Sequence, residues 1–206
     1  MTGQPVTLSD IEAAAARIAG RVRRTPLIAS APLARPPGDL DLCLKLENLQ
    51  ITGSFKPRGA TNCLLQLAPA LVARGVITAS GGNHGLAVAY VGRQAETSAV
   101  IYLPEGTPRD KADKLNALGA EVVIAGKVWN EANEAAMARA ERDDLAYLHP
   151  FADPRVIAGQ GTVGLEILDD APELDQVIVA IGGGGLVSGV ATALKVSIIA
   201  GPVKFR

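Results

Sequence analysis

Hydrophobic positions along this chain follow two rhythms, and the rhythm changes where the elements change. Near the start Ile11, Ala14, Ala15 and Ile18 recur on one helical face, Ser9 and Glu12 stand at capping-box distance, and Gly20 ends the run. "DLCLKLEN" then shows a period of two through Leu42, Leu44 and Leu46, which predicts a half-buried strand. From residue 76 short apolar runs alternate with helical patterns. "VITA" is a strand, "HGLAVAYVGRQ" a helix and "SAVIYL" a strand. Thr107 is placed to cap the next helix, with Pro108 at its first position, Asp110 in its first turn and Gly119 just past its end. "EVVIA" is a further strand, Ala132, Ala136 and Ala140 mark the seam of a helix, and "LAYLH" predicts another strand. "QVIVAI", a helix after four glycines, and "VSIIA" repeat the same grammar.

Strands this short and apolar, separated by helices, are what a parallel sheet covered on both faces requires. The expected fold is α/β: two doubly wound parallel-sheet units with a ligand-binding cleft between them. Residues 60–149 form one compact unit. The pieces after residue 149 belong to a second unit, one that the N-terminal segments can share. In open sheets of this kind ligands bind where strand ends meet helix starts.

Composition narrows the classes. The chain has 206 residues, enough for a real core, and is 48% hydrophobic but only 3% aromatic, so aliphatic residues do the packing. A net charge of −1 gives no basic stripe for nucleic acid and no electrostatic case for a membrane surface. No apolar run approaches the ~20 residues that span a bilayer. "MTGQPVTLSD" lacks the basic-then-apolar order of a secretory signal. Cys43 and Cys63 match no metal-ligand spacing and are expected as reduced, half-buried thiols. A cytoplasmic protein is expected, with no metal.

Three stretches carry candidate chemistry. In "VIVAIGGGGL" an apolar run meets Gly182, Gly183, Gly184 and Gly185 before a helix. Backbone N–H groups there can approach an anion closely, and the helix start adds its dipole, which suits a phosphate. A tight turn is the plainer reading, though four glycines cost more chain entropy than a turn needs. No Lys-Ser or Lys-Thr follows, and Val187 stands where a dinucleotide fingerprint needs its third glycine. In "ASGGNHGLAVA" Ser80, Gly81, Asn83 and His84 lie between a strand and a helix. They could hold a carboxylate or phenolic oxygen, or be ordinary caps and packing. With two histidines and no carboxylate pair at catalytic spacing, a metallohydrolase or Ser-His-Asp hydrolase is poorly supported. In "TGSFKPRGA" Lys56 sits among small residues; most lysines are solvated surface groups, but lysine is also the residue that forms Schiff bases. A phosphate cup, a small-anion turn and such a lysine together suit pyridoxal phosphate.

Taken together, "ENLQITGSFKPRGA", "SGGNHGLAVA", "GQGTVGLEIL" and "IGGGGLVSG", in this order, resemble the fold type II pyridoxal-phosphate enzymes. The similarity is to the threonine/serine dehydratase and serine racemase family. The resemblance implies that Lys56 carries the cofactor, pyridoxal 5'-phosphate, as a Schiff base, with Phe55 packed near its ring. It implies that Asn83 bonds the phenolic oxygen and that Gly182, Gly183, Gly184 and Gly185 hold the phosphate. Ser80, Gly81 and His84 would receive the substrate carboxylate.

The implied reaction is dehydration and deamination of a hydroxy amino acid. A neutral Lys56 amine would remove the Cα proton, and loss of the β-hydroxyl would lead to a 2-oxo acid and ammonia. Threonine would give 2-oxobutanoate and serine pyruvate. Racemases of this family carry a serine where this chain has Gly81, which favours elimination. Relatives continue for on the order of a hundred residues past the tetraglycine loop, a domain's worth. The resemblance thus implies two doubly wound parallel-sheet domains with the active site in the cleft between them: 60–149 the smaller, 1–59 and 150–206 the larger, which is truncated and incomplete. The pyridine-nitrogen partner would lie elsewhere, and a sheet edge would be exposed. A homo-oligomer is expected if the fold is completed. The competing classes are an inactive remnant binding a phosphorylated ligand or a full-length relative, and a dinucleotide oxidoreductase.

Overall fold

The structure, a computed structural model, describes residues 5–30 and 41–198. The chain enters through α1 (Leu8–Ile18), whose buried stripe is Ile11, Ala14 and Ile18. Its capping box is Thr7 and Asp10, not Ser9 and Glu12. The Asp10 N–H donates to Thr7 Oγ1 at 3.2 Å and the Thr7 N–H donates to Asp10 Oδ2 at 2.8 Å. Gly20, at φ +73°, turns the chain beyond it. β1 (Leu27–Ala29) and β2 (Cys43–Lys45) form a two-stranded antiparallel sheet. Leu44, expected on the buried side, is 43% exposed in this two-stranded ribbon. Then follow α2 (Lys56–Leu64) and the single turn α3 (Pro69–Val72).

The central sheet consists of β3 (Val76–Ala79), β4 (Ala99–Leu103), β5 (Glu121–Ile124) and β6 (Ala146–Tyr147), all parallel, in the order β5-β4-β3-β6. The connecting helices are α4 (Asn83–Gln94), α5 (Arg109–Ala117) and α6 (Trp129–Arg142). Every residue of β3 and β4 is buried, as a sheet covered on both faces demands. Ile77, Ala79, Val100 and Tyr102 pack on Ala132, Ala136 and Ala140 of α6. Val76, Ile101 and Leu103 pack on Ala87, Val88 and Val91 of α4. The expected cap of α5 differs in detail: Thr107 Oγ1 donates to the Pro104 carbonyl at 2.8 Å, and Pro108 occupies the N-cap position.

The stretch after residue 149, polar by composition, forms the long core helix α7 (Pro154–Asp170). It packs against α1, α2 and α8 (Gly185–Ile198). Small residues let the backbones touch. A Cβ on Gly159 would lie 2.6 Å from the Arg58 carbonyl oxygen of α2, and one on Gly189 would lie 2.4 Å from the Ile157 carbonyl oxygen of α7. The "GQGTVGLEIL" glycines are therefore contact glycines of a helix crossing.

Two strand expectations give way. Residues 176–181 form neither helix nor strand and pair with no strand among the described residues. Val177 and Val179 turn toward the cluster of Val163, Ile167, Val190 and Leu194, while Ile178 is 92% and Ile181 75% exposed. An apolar run built for two covered faces has one. Of "VSIIA", Val196–Ile198 belong to α8, and residues 199 onward lie outside the described residues. Among the described residues no helix is long and apolar enough to cross a membrane.

Candidate active site

Lys56 opens α2, with Phe55 at the N-cap and Pro57 inside the first turn, where the lost N–H has no helical partner to forgo. This start fixes where the lysine side chain leaves the helix. It is half-buried, passes 5.3 Å from the Phe55 ring centroid and donates from Nζ to the Pro150 carbonyl at 2.6 Å. Burial pushes its amine below the ordinary lysine value.

Two residues on, Arg58 fixes the same helix from inside. It is 1% exposed and reaches Glu47 at 2.7 and 2.8 Å and Glu166 at 2.6 and 2.9 Å. Lys45 joins Glu166 at 2.8 Å. Burial alone would raise Glu166, but Arg58 and Lys45 hold it below the usual carboxylate range. Paired this fully, the buried charges are not orphaned, and they lock α2 to α7 and the N-terminal segments.

The second motif lies at the C-terminal end of β3. Ser80 Oγ accepts from the Gly82 N–H at 3.4 Å, and Gly81 and Gly82 lead into α4, which begins at the exposed Asn83. Gly85 is required here, because a Cβ would lie 2.0 Å from the Ser80 carbonyl oxygen. Trp129 Nε1 donates to the Ala79 carbonyl at 2.8 Å and steadies the strand end. His84 does not face solvent. It is 2% exposed, its Nε2–H donates to the Leu148 carbonyl at 3.0 Å, and Nδ1 is buried without a partner. Burial, with smaller contributions from Lys56 and His149, pulls its pKa down to about 3, so it is a neutral imidazole that anchors the loop.

The third motif is open on one side. Gly182 and Gly184 have nothing within 4 Å of where a Cβ would stand, Gly184 adopts φ +86°, and α8 begins at Gly185. On the other side Phe151 is the wall. A Cβ on Gly183 would lie 2.3 Å from the Phe151 ring, and one on Gly185 2.6 Å from the Phe151 carbonyl oxygen.

The segment 148–152 joins all three stretches, and none of the three sequence motifs points to it. Leu148 O accepts from Thr78 Oγ1 at 2.8 Å and from His84. Pro150 O accepts from Lys56, and Phe151 backs the tetraglycine loop. The signal was available: an aromatic at every second residue, Tyr147, His149 and Phe151, at the end of a strand. A cavity of about 900 Å³ between α2, α3 and α4 is lined by none of these residues. Among the described residues no cluster of His, Cys, Asp or Glu is arranged to hold a metal ion.

The residues fit pyridoxal phosphate: a half-buried amine with a lowered pKa, and open glycine positions at the start of a 14-residue helix to take a phosphate. A parallel α/β sheet with a lysine at one helix start and a glycine cup at another defines a cofactor-dependent enzyme scaffold. The family model for "Pyridoxal-phosphate dependent enzyme" matches residues 18–204, and the chain belongs to this family. It is 45% identical over 190 residues to an L-threonine ammonia-lyase of Thermotoga maritima, covering 92% of this chain and 47% of that protein. It is 44% identical over 194 residues to a catabolic L-threonine dehydratase of Staphylococcus aureus, covering 94% of this chain and 56% of that one. The structure of maize serine racemase superposes with a TM-score of 0.86 at 34% identity, over 94% of this chain and 58% of that one. The fold type II resemblance is thus borne out, and the chain spans about half the length of the curated relatives it matches.

Proposed function

We propose that this chain carries the cofactor lysine and phosphate loop of a pyridoxal-phosphate-dependent ammonia-lyase that converts L-threonine to 2-oxobutanoate and ammonia, L-serine to pyruvate and ammonia, or both. The observation that carries the reading is the Lys56 amine, set at the start of α2, lowered in pKa and aimed at the turn that backs the glycine loop. Lys56 would hold the cofactor, Phe55 would pack beside it, Asn83 would meet its phenolic oxygen, and the N–H groups of Gly182 to Gly185 would hold its phosphate. When bound, the cofactor supplies an electron sink for charge developing at Cα.

The residues of the chain do the rest. Burial keeps a larger share of Lys56 Nζ neutral near physiological pH and so able to take a proton from Cα. Ser80, Gly81 and His84 would shape the loop that receives the substrate carboxylate, with His84 acting from below through its grip on Leu148. Gly81 offers no group to return a proton from the opposite face, which favours elimination over racemisation. Residues 1–59 and 150–206 would belong to one domain and 60–149 to the other, in a cytoplasmic enzyme that works as a homo-oligomer on a small amino acid.

The test is turnover of L-threonine and L-serine by the purified chain with pyridoxal phosphate, comparing Lys56→Ala. Release of 2-oxo acid that Lys56→Ala abolishes is expected. Formation of D-serine without 2-oxo acid would assign the racemase reading suggested by the maize enzyme. A folded chain with neither activity would leave an inactive relative that binds a phosphorylated ligand or a full-length partner.

A further inference from the structure

His149 is half-buried beside Lys56 and yet has no place in the chemistry above. Its Nδ1 accepts two backbone N–H groups, from Phe151 at 3.1 Å and from Ala152 at 2.9 Å. Accepting both requires Nδ1 to be unprotonated, which puts the ring proton on Nε2. Burial, reinforced by the Lys56 charge and opposed by Asp153, keeps the ring toward its neutral form. Two aromatic rings stand nearly perpendicular to it: centroids lie 4.7 Å from Phe151 at 89° and 6.1 Å from Tyr147 at 75°. The turn it closes presents the Pro150 carbonyl to Lys56 Nζ and the Phe151 ring to Gly183.

We propose that His149 is a positioning residue: by accepting the Phe151 and Ala152 N–H groups it fixes the 149–152 turn, and through that turn it sets both the Lys56 amine and the wall of the glycine loop. The inference deepens the cofactor reading above and rests on it only for its consequence in binding. Without the acceptor, two backbone donors at a half-buried turn lose their partner, and the turn can relax away from both Lys56 and Gly183. A shared imidazole acceptor is replaceable by an amide oxygen at the same place, since Asn in an Asx-turn accepts from the N–H two residues on.

Three variants of the full chain separate geometry from packing. His149→Asn keeps an acceptor near Nδ1 and loses the ring; His149→Phe keeps the ring contacts and loses the acceptor; His149→Ala loses both. The first readout needs no cofactor: amide hydrogen exchange at Phe151 and Ala152, with the rate at which Lys56 is acetylated. In His149→Phe and His149→Ala both amides are expected to exchange about tenfold faster or more and Lys56 acetylation to change several-fold, with His149→Asn close to the parent. The second readout is the dissociation constant for pyridoxal phosphate, expected to rise about tenfold in the same two variants. Protection kept in His149→Phe and lost in His149→Asn would overturn the proposal in favour of ring packing, as would exchange unchanged in all three. If the parent chain takes up no pyridoxal phosphate, the functional reading fails, while the exchange and acetylation data still decide the role of His149.

Discussion

Acidification should destabilise this protein through His84 before its carboxylates matter. The side chain is 2% exposed and neutral, with its pKa drawn down to about 3 from 6.5 by burial. In the unfolded chain it titrates at its ordinary value. A basic group with a lowered native pKa contributes stability that is complete above 6.5 and is lost progressively as pH falls toward 3. At pH 5.5 the unfolded state is favoured by protonation of one histidine by about 1.4 kcal/mol, a figure that depends only on the native pKa lying far lower. His149, lowered as well by its burial, adds in the same direction. Carboxylates start from 3.8 and 4.5, so pH 7.5 to 5.5 isolates the two histidines of the chain. For a domain of this size the loss corresponds to a fall in Tm of about 3–6 °C. Thermal unfolding at the two pH values, with His84→Gln beside the parent, measures it. His84→Gln can still offer an N–H toward Leu148 O but does not titrate, so its loss between the two pH values should be clearly smaller. A parent equally stable at both pH values, or a His84 ring signal that titrates near 6.5 by NMR, would refute the reasoning.

Other substitutions read other parts of the structure. Arg58→Leu takes the cation from Glu47 and leaves Glu166 with Lys45 alone, and should cost about 3 kcal/mol, seen as a large fall in the denaturant midpoint. Gly183→Ala drives a Cβ into the Phe151 ring and should weaken pyridoxal phosphate binding by about tenfold or more, by titration, with a smaller change in the Tm of the cofactor-free chain. Burial, with Asp153 beside it, pushes the Cys63 thiol up to about 12, so a thiol reagent at pH 8 should label Cys63 only after denaturation.

The parallel sheet was legible because its information is local. "AVIYL" is almost wholly apolar and "VITA" apolar but for Thr78, since both faces are covered, and Ala132, Ala136 and Ala140 are small since α6 lies close. "QVIVAI" carries the same signal, but a strand also needs a neighbour, which the described residues do not supply. Helix starts failed by one or two residues because caps compete: Thr7 with Asp10 closes the box that Ser9 and Glu12 also spell. Lys56 and the glycines announce themselves by type and spacing. His84 and His149 do not, for their roles come from which carbonyl or amide the fold brings to the ring. The second histidine of the chain, next to proline in an aromatic-alternating run, was the sequence trace of the 149–152 turn.

Reaction with pyridoxal phosphate, reduction by borohydride and mass mapping of the modified peptide test the central claim most directly. The account predicts a single pyridoxyl group on Lys56, absent from Lys56→Ala and suppressed by excess inorganic phosphate competing at the glycine loop. Modification scattered over surface lysines such as Lys111 and Lys114, with Lys56 no more reactive than they are, would contradict it.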